Sequence, residues 1–396
     1  MSVSETPRLT RSFAVALVTF ATFTDIVAWA IAIPVLPDMG HRLGASPTTI
    51  GLLFASFGVT LVSVSIPAGA LSDRTGRKTP IVAGLVALAA STLLFAFATS
   101  LPWLFAARLV QGAADGVTWV VGFALIADLY GPEERGRAAG IVMSGTSVAV
   151  VIGPSLGGWL YEAGGIRLPF MFVTVLATIA TAGFAALRVP RTQSNREVVP
   201  VAAVVTTPSV AACAAAVVVL AATLSMYEPV LALHLNAFLG IGPARVGYVF
   251  GAAAVATAIL NPIYGRLADR VGARRLTMVG LALAGAAVPL LSLISSYPSA
   301  IAIYVFQASM AALAITPSLA YMGEAVAEAG LGSFGVGYGL YNMAWGVGLL
   351  SGPALGGFLY ERLGFTRLTL LWAPCVVSMV LVLARTGRPR RVEPAL

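Results

Sequence analysis

Three acidic residues, Asp25, Asp115 and Glu228, lie deep inside long apolar segments of the sequence. If these segments cross a lipid bilayer, an ionised carboxylate within them costs several kcal/mol, so such residues generally face a cavity and serve a function. Because burial favours the protonated form of a carboxyl group, each acid could accept a proton on one side and release it on the other. The three residues therefore predict a proton-exchanging site. A neutral acid that is hydrogen-bonded between packed helices is the alternative interpretation.

Arg108 is the one basic residue inside an apolar segment, and a buried cation requires a partner. Asp115 follows seven residues later, two helical turns along the same face, and Gln111 lies between them. An arginine beside a buried acid favours the ionised acid until substrate or a conformational change separates the two. We therefore expect Arg108 to take part in proton coupling with the three acids; a structural ion pair is the alternative.

Aromatic residues accompany the acids at helical spacing. Trp29 follows Asp25 by four residues, so the two share a helix face. Trp119 follows Asp115 at the same spacing. An acid next to aromatic surface suits a lipophilic cation, through charge pairing and cation–π contact, although aromatics in membrane helices more often pack against neighbours. The predicted substrate contacts are Asp25, Trp29, Gln111, Trp119, Tyr227, Glu228, Tyr338, Tyr341, Asn342 and Trp345.

The composition places these residues in a membrane protein. Of 396 residues, 58% are apolar and 10% are charged, whereas a soluble protein carries roughly 25% charged residues. A run of about 20 apolar residues spans the hydrocarbon core, and strands of a membrane β-barrel would instead alternate over about 10 residues. We therefore predict an all-α membrane protein with twelve transmembrane helices. Their predicted ranges are 12–36, 47–71, 79–98, 102–128, 137–161, 167–188, 208–236, 244–268, 275–296, 299–325, 333–360 and 366–385.

Basic residues indicate how the helices are oriented. Eighteen of the 24 lysines and arginines fall on the side that holds both termini, and five fall on the other side. By the positive-inside rule both termini are cytoplasmic, and we expect a multi-pass protein of the plasma membrane, in a bacterium the inner membrane. A polar linker at 189–207 separates a first six-helix unit, 1–188, from a second one, 208–396.

The two halves of the sequence resemble each other at a shift of 196–199 residues. Because six helices separate equivalent positions, both halves have the same orientation in the membrane. Transporters with such parallel repeats bind substrate near the bilayer midplane and rock one half against the other. The matching pairs are 69–74 with 265–270, 153–158 with 352–357, 160–162 with 359–361, Gln111 with Gln307, and Asp128 with Glu324.

Four motifs resemble those of the major facilitator superfamily. Residues 69–78 resemble its signature loop, and residues 108–112 resemble its proton-coupling motif. Residues 145–158 resemble its antiporter motif, and residues 25–34 resemble its drug:proton antiporter pattern. The resemblance implies two pseudo-symmetric six-helix bundles around a central cavity. Asp25 and the sequence Glu228-Pro229 resemble the branch of bacterial multidrug exporters and vesicular amine transporters. In similar exporters the arginine of the proton-coupling motif tunes proton release.

Glycines, prolines and one charged loop predict the moving parts. Glycines allow close helix approach and prolines bend helices. Asp73, Arg77 and Asp128 are expected to form an ion cluster that breaks between two conformations. In the second half Ala273 replaces the arginine, so an equivalent cluster must use Arg274 or be weaker. The predicted gate residues are Gly69, Asp73, Arg77, Asp128, Gly153, Pro154, Gly157, Asp269, Gly352 and Pro353.

These features predict a secondary transporter that exports a lipophilic cation in exchange for protons by alternating access. A proton-coupled importer of a small polar solute on the same fold is the alternative. An enzyme would need a nucleophile–base set, which the two histidines and two cysteines do not form, and no GxxxxGK[ST] segment for ATP occurs. We expect no cofactor, no metal and no nucleic-acid partner, and a monomer whose partners are its substrate, protons and the lipid bilayer.

Overall fold

The computed structural model describes residues 8–187, 207–328 and 334–386, and their regular structure is helical. The linker predicted at 189–207 falls almost wholly outside the described residues. The helices are α1 (Arg8–Arg42), α2 (Pro47–Thr75), α3 (Lys78–Ala96), α4 (Leu101–Leu129), α5 (Pro132–Gly164), α6 (Arg167–Ala186), α7 (Pro208–Leu239), α8 (Pro243–Val271), α9 (Ala273–Ala287), α10 (Tyr297–Glu328) and a last segment, Phe334–Arg385.

The last segment comprises two of the predicted helices. Gly364 within it has φ 76° and ψ 171°, which is not helical, and we call the parts before and after this glycine α11 and α12. The helix therefore breaks at Gly364, between the predicted ranges 333–360 and 366–385, and the 11 long apolar helices of the described residues count these two parts as one. One difference concerns α9, which continues as the 3₁₀-helix Val288–Leu293 with Pro289 at its start. The predicted α-helical range 275–296 was therefore too long.

Local sequence explains where several helices begin and end. Proline occupies one of the first two positions of α2, α4, α5, α7 and α8, where a backbone N–H is not needed. Ser46 caps α2 by accepting a hydrogen bond from the backbone N–H of Thr49. Gly240 ends α7 in the left-handed conformation, at φ 63°. These signals are the reason why most boundaries match the predicted ones within a few residues.

The helices form two bundles of six. The cores of the first bundle, α1–α6, include Leu88 and Phe170 in one cluster and Leu85 and Phe184 in another. The second bundle, α7–α12, has its own cores, and Trp29 and Ile33 of α1 pack into one of them. We call the side on which α1 begins and α12 ends the terminal face, and the opposite side the closed face.

The bundles meet along the parts of α2, α5, α8 and α11 that are nearest the closed face. A Cβ atom added at Gly158 of α5 would overlap the carbonyl oxygen of Pro243, the first residue of α8. One added at Gly357 of α11 would overlap the carbonyl oxygen of Pro47, the first residue of α2. These contacts are equivalent in the internal repeat. Backbone therefore packs directly on backbone, which the absence of a side chain at both glycines permits.

Two glutamates reinforce this contact with hydrogen bonds between the bundles. The backbone N–H of Ala244 donates to Glu162 Oε1 at 3.1 Å, and the backbone N–H of Thr48 donates to Glu361 Oε2 at 2.8 Å. Both acceptors are acids near the end of one helix, and both donors lie in the first turn of a helix in the other bundle. A helix N-terminus has free N–H groups and a positive dipole end, so it favours such an acid.

The same helices diverge toward the terminal face. Ile66 of α2 is 68% exposed and Ile259 of α8 is 64% exposed. A Cβ added at Gly140 of α5 or at Gly265 of α8 would meet no described neighbour within 4 Å beyond its own helix. The bundles are therefore joined at the closed face and separated toward the terminal face.

Candidate functional site

Two of the three predicted acids lie together inside the first bundle. Asp25 of α1 and Asp115 of α4 are both buried, and their side chains are close enough to interact electrostatically. Asp25 Oδ2 has no hydrogen-bond partner within the described part of the chain, whereas Asp115 interacts with Trp119 one turn further along α4. Two adjacent carboxylates repel each other when both are ionised, so this pair is suited to holding a proton or a cation.

Arg108 interacts electrostatically with Glu228 of the second bundle, while its direct contacts lie within the first bundle. Its Nη1 donates to Gln111 Oε1 at 3.0 Å, and its guanidinium carbon lies 4.5 Å from the ring centroid of Phe54. Its strongest charged neighbour is Glu228 of α7, with which it interacts electrostatically without a direct ion pair. The prediction that Asp115 is the partner of Arg108 was therefore wrong. Spacing along one helix identified a shared face but could not show which helix lies opposite.

Glu228 lies in a polar group on the second bundle. It is 7% exposed, and its neighbours Tyr227 and Tyr304 are also buried. The hydroxyl of Tyr227 has no hydrogen-bond partner among the residues described. Proline disfavours helical geometry at the residue before it, but α7 is nevertheless continuous from Pro208 to Leu239, with Pro229 inside it. The carboxyl is therefore positioned by an intact helix.

The charges of this site are unbalanced. Three carboxyl groups share it with one guanidinium, and all four side chains are at most 8% exposed. A buried ionised group without a countercharge is strongly destabilising. Electrical balance at this site therefore requires protons or a cationic ligand to neutralise the excess acid.

The predicted aromatic contacts fall into two groups. Trp29 and Trp119 lie on α1 and α4, the helices that carry the acid pair. Trp29 packs against the second bundle, and Trp119 stacks on Phe123 with ring centroids 5.5 Å apart. Tyr341 and Trp345 of α11 instead pack into the core near α7, stacked on each other. These two residues match the alternative in which aromatic side chains pack against neighbouring helices. Asn342 is exposed, and Tyr338 lies among residues whose side chains the structure does not describe.

Sequence reasoning did not include Tyr304 and Gln307 of α10 in the site. Gln307 is fully buried, and neither its amide nitrogen nor its amide oxygen has a partner in the described structure. The internal repeat was the signal that could have identified it, because Gln307 is the counterpart of Gln111. A neutral amide in an apolar helix is a weaker indication of a functional site than a charged side chain.

Comparison with known proteins identifies the family. The Major Facilitator Superfamily profile matches residues 18–227 and, a second time, residues 212–395. The chain belongs to the major facilitator superfamily. The double match agrees with the internal repeat, and it confirms the predicted family. The protein is accordingly a multi-pass membrane transporter and not an enzyme.

Relatives of this superfamily member include named vesicular transporters. The probable vesicular acetylcholine transporter-B of Danio rerio is 29% identical over 401 residues, which cover 94% of this chain and 80% of that protein. The synaptic vesicular amine transporter of Homo sapiens is 26% identical over 337 residues, which cover 84% of this chain and 65% of that protein. The predicted relation to vesicular amine transporters is thereby confirmed.

Solved structures confirm the fold. A bacterial homologue of the human lysosomal transporter Spinster, in an inward-facing and occupied conformation, superposes with a TM-score of 0.83 at 16% identity, covering 98% of this chain and all of that one. The human organic anion transporter MFSD10 (TETRAN) superposes with a TM-score of 0.68 at 19% identity, covering 96% of this chain and all of that one. At these identities the likeness concerns the major facilitator fold alone.

The predicted charged cluster of the superfamily's signature loop is present. Arg77 Nε lies 2.7 Å from Asp128 Oδ2, and its Nη1 lies 2.6 Å from Asp73 Oδ1 and 2.5 Å from the hydroxyl of Ser72. Burial alone would lower the pKa of Arg77, but the hydrogen bonds and charges of Asp128 and Asp73 outweigh it and raise the pKa. All four residues belong to the first bundle. The cluster thus joins α2, the following loop and α4, and it does not bridge the bundles in this conformation.

The second bundle lacks an equivalent cluster within the residues described. Asp269 and Glu324 are exposed, and no ion pair joins either of them to a basic side chain. Arg274, the expected substitute, donates instead to the carbonyl oxygen of Leu383 in α12. Of the two possibilities that the sequence left open, the weaker second cluster is the one observed.

The glycines and prolines among the predicted gate residues make two different kinds of contact. Gly153 and Gly157 approach Ala30 and Ile31 of α1, inside the first bundle, and Gly352 approaches Ala222 of α7, inside the second. The contact between bundles is made by other glycines. A Cβ at Gly247 would overlap the carbonyl oxygen of Pro154, and one at Gly51 would overlap that of Pro353. Gly69 packs only near Val120 of α4.

Replacing Arg77 with glutamine is expected to lower the melting temperature of the purified protein. The change leaves the carboxylate of Asp128, whose side chain is 7% exposed, without its cation, and breaking a buried pair in this way costs about 3 kcal/mol. Arg74→Gln is the matched control, because Arg74 is exposed and has no ion pair in the described structure. Equal melting temperatures for the two variants would contradict a stabilising cluster.

Proposed function

We propose that this protein is an antiporter that exports a lipophilic cation in exchange for protons. The observation that carries the proposal is two buried pairs of charged residues, Asp25 with Asp115 inside the first bundle and Arg108 with Glu228 between the two bundles. A cation entering this site replaces protons on the acids, and proton binding then releases the cation. This is the linkage that exchange requires.

Each part of the site has a role in this exchange. Asp25 and Asp115 hold the cation or a proton, since both cannot remain ionised side by side without one. Trp29 and Trp119 supply aromatic surface for an organic cation. Arg108 and Glu228 belong to different bundles, so rocking of the bundles changes the separation of their charges. Proton exchange at Glu228 is thereby tied to the conformational change.

The names of the relatives support a cationic cargo, because acetylcholine and amines carry positive charge at neutral pH. The distribution of basic residues supports cytoplasmic termini, and the membrane we propose is the plasma membrane, which in a bacterium is the inner membrane. With that orientation, the terminal face opens to the cytoplasm and the closed face seals the outer side. The six-helix bundles are then the two domains, joined by the linker 189–207, and a single chain forms the transport path.

A pH jump across proteoliposomes tests the proposal. Acid-loaded vesicles are expected to accumulate ethidium, a lipophilic cation, and Asp25→Asn and Glu228→Gln are each expected to reduce that uptake at least tenfold and to remove its pH dependence. Glu134→Gln is the control, because this acid is exposed in the first turn of α5 at the terminal face and belongs to none of the predicted sites. Uptake by both variants at the parental rate and with the parental pH response would refute the coupling scheme. Solute movement in the same direction as protons would favour the importer.

A further inference from the structure

Most of the fully buried polar atoms without partners belong to a few residues on the helices of the candidate site. Within the described chain, eight buried side-chain nitrogen and oxygen atoms lack a hydrogen-bond partner, and six of them belong to Asp25, Arg108, Gln111, Tyr227 and Gln307. Buried polar groups in folded proteins are almost always paired, so such a concentration calls for a physical reason. Gln307 contributes two of the six atoms and has no part in the exchange proposed above.

Gln307 lies on a face of α10 whose neighbouring residues belong to the cores shared with α7. Tyr304, one turn earlier on α10, packs in the same core as Tyr227 and interacts electrostatically with Glu228. Ala311, one turn later, packs in the core that contains Val217 of α7. Gln307 shares the face of α10 that these two residues define. Gln307 therefore lies one helical turn from the tyrosine that interacts with Glu228 and Tyr227.

Stability does not explain a glutamine at this position. A buried amide that bonds to no protein group destabilises the fold, and an apolar residue of the same shape would not carry that penalty. Residues that weaken a protein in this way are typically retained for function. A primary amide offers one acceptor and two donors on one carbon, which suits a hydroxyl group, itself both donor and acceptor.

We propose that Gln307, together with the hydroxyl of Tyr227, recognises a hydroxyl group on the transported cation. The inference rests on the proposed function and narrows its cargo to hydroxyl-bearing lipophilic amines. The acids of the site bind the ammonium group, and the second bundle binds the hydroxyl. A site built to hydrogen-bond a hydroxyl discriminates strongly against the analogue without it, because its own polar groups then remain unpaired.

The probes for this inference are tyramine and phenethylamine, which differ by one hydroxyl group. Binding of each to the purified full-length protein is measured by thermal shift and by competition. The wild type is expected to bind tyramine at least tenfold more tightly. Gln307→Met is expected to remove that preference, because it weakens the binding of tyramine about tenfold and has little effect on the binding of phenethylamine. The same variant is expected to raise the melting temperature of the protein without ligand. Ser309→Ala is the control, because this hydroxyl already bonds to the carbonyl oxygen of Val305.

The possible outcomes separate this inference from the proposed exchange. A wild type without preference for tyramine would overturn it, as would a Gln307→Met variant that keeps the preference. If Gln307 had only a structural role, Gln307→Met would have a lower melting temperature and would lose binding of both amines equally. That result would also overturn the inference. The proposed exchange is tested apart from these measurements, by pH-driven ethidium flux in the wild type. That flux can fail while the binding preference persists, and the reverse can also occur.

Discussion

Replacing Arg108 with methionine is expected to abolish coupled transport, with pH-driven flux at least about 100-fold below that of the parent. Arg108 is 1% exposed, and it is the cation that interacts electrostatically with Glu228 from the other bundle. Removing one member of a buried pair of opposite charges costs about 3–5 kcal/mol, because the remaining charge has no compensation. The ionised state of Glu228, which the exchange cycle must visit, becomes too costly to populate. The measurement is ethidium uptake into acid-loaded proteoliposomes.

Two matched variants separate the loss of charge from the loss of packing. Arg108→Lys keeps the positive charge but loses the hydrogen bond to Gln111 and the planar stacking near Phe54, so its flux should be intermediate. The double variant Arg108→Met with Glu228→Gln removes both charges, and we expect it to recover the melting temperature without recovering pH-driven flux. Parental flux in Arg108→Met would show that this arginine plays no part in coupling.

The fold could be predicted from the sequence because its determinants are local. Apolar length, proline at the first helical positions and the placement of basic residues each act within a few residues, as at Pro47 and Pro243. The cluster around Arg77 was predictable for the same reason, since Asp73 precedes it by one helical turn. The break between α11 and α12 follows the same logic, because Gly364 adopts a positive φ of 76°, a conformation that favours glycine.

The site was only partly predictable, because its geometry depends on how helices rotate against one another. The sequence indicated which residues are buried acids, but it did not show that Asp115 interacts with Asp25 while Arg108 interacts with Glu228. Helical spacing grouped Tyr341 with the ligand contacts, whereas the helix orientation places it in a core. Such pairings arise from packing between helices that are distant in sequence, and one sequence alone does not encode them in a local pattern.

Replacing Gly158 with leucine is expected to prevent closure of the closed face and to reduce transport at least tenfold. Any side chain at this position meets backbone atoms of Pro243 and Ala244, which cannot rotate away. Overpacking of this kind costs about 1–3 kcal/mol, and alternating access is an equilibrium between two states. Such a cost lowers the population of the closed-face state by about 5- to 150-fold. Transport slows because every cycle must pass through that state.

Gly140→Leu is the matched control, because it makes the same substitution in the same helix where the described structure has no neighbour within 4 Å. A cysteine at Ser155, whose hydroxyl donates to the carbonyl oxygen of Gly247 across the bundles, reports closure through its rate of maleimide labelling. We expect faster labelling when Gly158→Leu is added and no increase when Gly140→Leu is added, both with exposed Cys375 replaced by serine. The comparison cancels the helix propensity of leucine, so faster labelling comes from the contact at the closed face. Equal labelling in the two variants would mean that the backbone contact at Gly158 does not control the closed face.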